Sequence, residues 1–186
     1  MLKAFLAALG FLAVVSSAHA ADCQYDHSQL LALDYKAFDH DGWRPLADAD
    51  GCKQAAADLI RDYRQAHPDL SADDRRSLIW HEGQMRAAFG DYAGAIPLFS
   101  ADNPDPAMRD YAAATVAFLK HDKPALLAAR AQLLAEPKPE GWDEAVAELK
   151  GSGEMIQWPL NLEVVDGLIL CFDEPYAEAY DCRAEK

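Results

Sequence analysis

The stretch RRSLIWHEGQMRAAFGDYAGAIPLF, residues 75–99, constrains the chain most. Leu78, Ile79, Met85, Ala88 and Phe89 recur at three- and four-residue steps, which predicts a helix with one apolar face. Ser71, followed three residues on by Asp74, resembles a capping box with Asp in place of Glu, so Ser71 is the expected N-cap. Gly90 is expected to end the helix, because glycine takes the left-handed C-cap conformation without steric cost. Beyond Gly90-Asp91, Tyr92, Ala95, Ile96 and Phe99 mark a second apolar face. Gly83 and Ala95 are small enough to let two such helices approach closely.

The same reading extends along the chain. Residues 26–38 form a first expected helix, broken by Asp39-His40-Asp41-Gly42, with a short helical turn at 43–47. A helix over 51–66 buries Ala55, Ala56, Leu59, Ile60 and Tyr63 and stops before Pro68, since the residue ahead of proline avoids the helical region. Two further helices, near 107–120 and 123–135, flank a turn at His121-Asp122, with Asp122 as cap and Pro124 tolerated in the first turn. Glu136 to Gly141 reads as a stiff loop, 142–149 as a short helix and Gly151-Ser152-Gly153 as flexible. A helix is expected over 160–172, with Asn161 as N-cap; a strand over 164–172 is the alternative because its residues are partly β-branched. Helix is preferred, since a lone strand leaves its backbone unpaired.

Gly83, Gly90-Asp91-Tyr92, Ala95-Ile96 and Phe99 resemble a tetratricopeptide (TPR) repeat. Gly51, Ala56, Ile60 and Pro68 are similar to the second half of a preceding unit, and Ala114 marks a degenerate third. The chain departs from the family pattern at Glu82, where Leu is usual, and at Arg86, where Tyr is usual. From Gly51 to Gly90 is 39 residues and from Gly90 to His121 is 31, near the family period of about 34. The resemblance covers 26–135. It implies an all-α, TPR-like stack of antiparallel helical hairpins, with 136–186 as a C-terminal capping segment. It also implies protein or peptide binding in a groove made by the first helix of each unit, with Glu82, Gln84, Arg86, Arg109 and Asp110 as contact candidates.

The N-terminus reads as a secretory signal peptide over 1–20. Lys3 supplies the positive end, 4–15 the apolar stretch, and Ala18-His19-Ala20 the cleavage site. The apolar run is shorter than the roughly 20 residues of a membrane span. Asp22 ahead of Cys23 argues against a lipoprotein signal. A soluble chain over 21–186, periplasmic or secreted, is therefore expected. Formal charge is −14, and loss of Lys3 takes it to −15. Such a surface repels nucleic acid and is compatible with a basic partner. In an oxidising compartment the four cysteines, Cys23, Cys52, Cys171 and Cys182, imply two disulfides. Three pairings exist, and proximity favours Cys23–Cys52 with Cys171–Cys182.

Catalytic signatures are weak. His81-Glu82 begins an HExxH pattern, but Met85 stands where the second histidine belongs. Asp39-His40-Asp41 is too short a run for a calcium loop. No metal or cofactor site is expected. Trp80, Trp142, Trp158 and Tyr176 could line a groove. The sequence thus reads as an exported binding or scaffold module. The alternatives are an envelope hydrolase using Glu82 or Asp166 as general acid, and a structural component of an assembly.

Overall fold

Asp and Ser residues ahead of apolar runs set where the helices begin. In the computed structural model, which describes residues 23–149 and 157–183, the chain is all-α, with no strand among the described residues. The expected signal peptide and the 151–153 glycine segment lie outside the described residues. Ser71 accepts a hydrogen bond from the Asp74 amide at 3.1 Å and opens α5, Ala72–Ala88. Asp91 accepts from Gly94 at 2.9 Å and opens α6, Tyr92–Phe99. Asp105 opens α7, Pro106–Leu119, and Asp122 opens α8, Lys123–Ala135, in the same way. Each cap satisfies an amide that has no partner inside its helix. Gly90, at φ 92°, supplies the left-handed residue between α5 and α6.

The N-terminal region departs from expectation. Asp26 caps a short α1, His27–Leu31, and Asp34 then caps a second start, so residues 26–38 do not form one helix. After α2, Tyr35–Ala37, the predicted break at Asp39-His40-Asp41-Gly42 is a π-helical turn, Phe38–Gly42. It drops the Phe38 ring onto Tyr63, with centroids 3.7 Å apart. Next come α3, Arg44–Asp48, and α4, Lys53–Ala66. Past α8 lie α9, Trp142–Leu149, then α10, Leu162–Leu170, and α11, Tyr176–Asp181. The stretch that could have been a strand is therefore helical through Leu170 and ends in a turn. Asn161 stands at the start of α10 with φ 64° and makes no side-chain cap bond.

Two apolar cores result. Phe38, Trp43, Leu46, Leu59, Ile60 and Tyr63 form one. Phe99, Tyr111, Phe118, Leu126, Leu133, Val165, Leu168 and Tyr176 form the other. The helix between them is α5, and it is covered on three sides. Leu78 and Met85 face the first core, beside α4. Trp80, Gly83 and Ala87 face α6 and the second core. His81 and Gln84 meet Asp39 and Arg44 on one hand and Tyr180 on the other. The single apolar face read from Leu78, Ile79, Met85, Ala88 and Phe89 is thus divided, and Phe89 is left 37% exposed.

Both disulfides take the proximal pairing, Cys23–Cys52 and Cys171–Cys182, closing loops of 29 and 11 residues in sequence. Each contributes roughly 2–4 kcal/mol by restricting the unfolded chain. They are compatible with an oxidising compartment. No helix of the described residues is long and apolar enough to cross a membrane.

Gly83 sits directly under the Phe99 ring. A Cβ there would meet ring carbons at 3.0 and 3.2 Å, and Phe99 is itself buried. Gly83→Val is expected to lower stability by about 1–3 kcal/mol through overpacking. The melting temperature, followed by circular dichroism, should fall by several degrees. An unchanged melting temperature would show that the ring can swing aside.

Candidate functional site

A carboxylate on a helix wall must be either solvated or paired, and Glu82 is paired. It is 3% exposed and accepts from Arg64 on α4 and from Arg86 Nε at 2.9 Å. Arg86 Nη1 also donates to Asp91 at 3.1 Å, the residue that caps α6. Asp58 stands 3.6 Å from Arg86. Glu82 and Arg86, expected at an open groove face, are instead drawn into an interhelical ion network. Asp166, the other hydrolase candidate, pairs with Arg130 across α10 and α8.

Gln84 belongs to a second polar chain. Arg44 Nη2 lies 3.4 Å from His81 Nε2, and His81 Nδ1 lies 3.0 Å from Gln84 Oε1. The Gln84 amide nitrogen donates to the Tyr180 hydroxyl at 3.1 Å. Arginine can only donate, so the Arg44 contact calls for an accepting Nε2 and a hydrogen on Nδ1 towards Gln84, whereas Asp39 Oδ1, 3.6 Å from the same Nε2, favours a protonated ring. Burial pushes its pKa below 6.5, and the Arg44 charge acts in the same direction; Gln84 and Asp39 oppose it.

Arg109 and Asp110 lie on α7. Asp110 makes no side-chain hydrogen bond or ion pair among the described residues. Arg109 donates from Nη1 to the carbonyls of Asn103 and Pro104, and it borders a cleft. This cleft, about 500 Å³, runs between α5, the end of α6 and the outer face of α7, with the α7–α8 turn at one end. Its apolar lining includes Ile79, Trp80, Phe99, Met108, Ala112, Ala113 and Val116. Trp80 is fixed by ring contacts to Phe99 and Tyr111, with centroids 4.6 and 4.9 Å away. Arg76, Arg109 and Lys120 supply cations, and Asp102 and Asp122 supply carboxylates.

Of the five sequence candidates, only Arg109 borders the cleft. Trp80 was recognisable as a groove aromatic. Met108 and Ala112 read as part of the apolar stripe of the 107–120 helix, and Arg76, Ala113 and Lys120 carry no motif that marks a site. Their signal is positional: Arg109, Ala112, Ala113, Val116 and Lys120 follow one helical stripe on which small residues stand between cations. No group of three or more His, Cys, Asp or Glu side chains among the described residues is arranged to hold a metal ion. No family model matches the chain, and no curated protein or solved structure shows significant similarity to it.

Two expected outcomes follow from the polar groups on α5. Glu82→Gln leaves two guanidinium groups facing a neutral amide, and urea unfolding should show a loss of roughly 3–5 kcal/mol. A loss below about 1 kcal/mol would mean that the arginines find water instead. For His81, the folded pKa lies below the unfolded value, so its contribution is complete above about pH 6.5 and declines as pH falls through the folded pKa. Wild type should therefore lose more stability between pH 7 and 5 than His81→Gln does. Parallel curves would place the acid sensitivity elsewhere.

Proposed function

We propose that this is an exported protein of the bacterial-type cell envelope that binds an extended polypeptide in the α5–α7 cleft. The observation that carries the reading is the cleft itself. Its volume falls in the range of about 300–1,000 Å³ typical of ligand sites. Its floor is apolar, one immobilised tryptophan lines it, and charged groups stand at its edge. The resemblance to TPR repeats supports the same surface, because α5 and α7 correspond to the first helices of two successive units. The paired cysteines and the signal-like N-terminus support export.

The hydrolase alternative receives less support, since both proposed acids are engaged by arginines. An assembly role would rest on Leu127 and Leu134, half-exposed and seven residues apart on α8. Arg130 lies between them on that face, in an ion pair with Asp166. The apolar patch is therefore interrupted by charge.

Filling the cleft tests the reading. Ala113 is exposed on its wall, so Ala113→Trp occupies the space without entering the core. An arrayed library of extended peptides should yield binders to the mature chain. Their binding should drop at least about tenfold in Ala113→Trp and persist in Ala131→Trp, a substitution at an exposed α8 position outside the cleft. Binders that lose affinity equally in both variants would sink the proposal.

A further inference from the structure

We infer that the cleft's occupant is an extended peptide of the pattern acid–any–apolar–any–acid, its two acidic side chains meeting the cations at either end of α7. This rests on the cleft being the binding site. The chain carries 31 acidic residues against 17 basic ones, so an average patch of its surface is negative. The cleft reverses that balance, with three cations, Arg76, Arg109 and Lys120, to two carboxylates. One of those carboxylates, Asp122, is occupied in capping α8.

The cations also have donors to spare. Lys120 is exposed and its ammonium makes no hydrogen bond or ion pair among the described residues. Arg109 uses Nη1 alone, on two backbone carbonyls, so its remaining nitrogens have no protein acceptor among the described residues. Arg76 pairs with Asp73, whose side chain is 88% exposed and readily exchanged for a ligand carboxylate.

Spacing selects the pattern. Arg109 and Lys120 are three helical turns apart on α7, about 16 Å at 1.5 Å per residue. An extended peptide advances about 3.3 Å per residue and alternates its side chains. Residues i, i+2 and i+4 therefore share one side, and i to i+4 spans about 13 Å. The flexible arms of arginine and lysine cover the remainder. The middle residue then lies over the alanine-lined floor beside Trp80, where Ala112 and Ala113 leave room for a leucine-sized side chain. A single terminal carboxylate could engage only one end.

The test uses the full mature chain and an unlabelled peptide, Ser-Glu-Ser-Leu-Ser-Glu-Ser, acetylated and amidated so that neither terminus is charged. Isothermal titration calorimetry should show it binding at least about tenfold more tightly than its Glu→Gln twin. The advantage should shrink as salt rises. Lys120→Glu, at a residue without side-chain partners among the described residues, should abolish the advantage, and replacing the facing peptide Glu with Lys should restore binding. Equal binding of the Glu and Gln peptides, with Lys120→Glu silent, would overturn the acidic pattern while leaving a neutral peptide cleft. Binding only by the unblocked peptide would overturn it in favour of a terminal carboxylate. Failure of every peptide to bind would remove the cleft reading and this inference together.

Discussion

Helix α5 has to be buried on three sides, and the polar groups it carries decide how the rest of the chain is arranged. The central one is Glu82. Its carboxylate joins α4 through Arg64 and the α5–α6 turn through Arg86 and Asp91. A leucine there would pack and need no partners. What the carboxylate adds is direction. Guanidinium–carboxylate pairs hold only when the donors arrive at defined angles, so the positions of Arg64, Arg86 and the α6 cap become mutually dependent. The buried carboxylate is thus matched by one arginine from α4 and one a turn further along α5 itself. Arg64 Nε remains buried without a partner, so this pairing is achieved at some desolvation cost.

The third side of α5 is secured from the C-terminus. Tyr180 reaches Gln84, and the Cys171–Cys182 bond holds the end of α11 against α10. The fit is close: a Cβ at Gly167 would lie 2.4 Å from the Cys182 carbonyl oxygen. Tyr176 of α11 enters the second core beside Phe99 and Phe118, and its backbone amide donates to the Tyr92 hydroxyl. Burial raises the pKa of both Tyr111 and Tyr176 well above 10, so their phenols stay protonated inside the core. The C-terminal segment is therefore part of the wall that fixes α5, and through Trp80 it bears on the cleft.

Local chemistry was legible in the sequence, and relations between helices were not. Ser71, Asp122 and Gly90 declare helix boundaries because a cap involves only three or four consecutive residues. The disulfide pairing followed proximity for a similar reason. Asp34 has the same capping chemistry, but it lies inside an apolar run, and the run suggested one long helix. The faces of α5 were misassigned because hydrophobic periodicity assumes one buried side. The four-residue spacing of Glu82 and Arg86 marks them as a pair, but not their burial, because charge usually signals solvent and their further partners, Arg64 and Asp58, come from another helix. The cleft was invisible for a related reason. It is a space left where Ala112 and Ala113 fall between bulky neighbours on two helices, and no single window of sequence encodes it.

The charge arrangement has opposite effects at long and short range. At a distance, an acidic peptide meets the field of a chain at −14 and is repelled. Within roughly 8 Å, the Debye length at physiological salt, it meets Arg76, Arg109 and Lys120 instead. Salt screens both, so it would hasten encounter and also hasten release. For such a ligand the net charge governs the approach, and three side chains at the cleft govern residence. An acidic surface therefore does not imply a basic ligand. The sign that matters for affinity is the one at the edge of the cleft, because only there are the charges close enough to act on a bound segment.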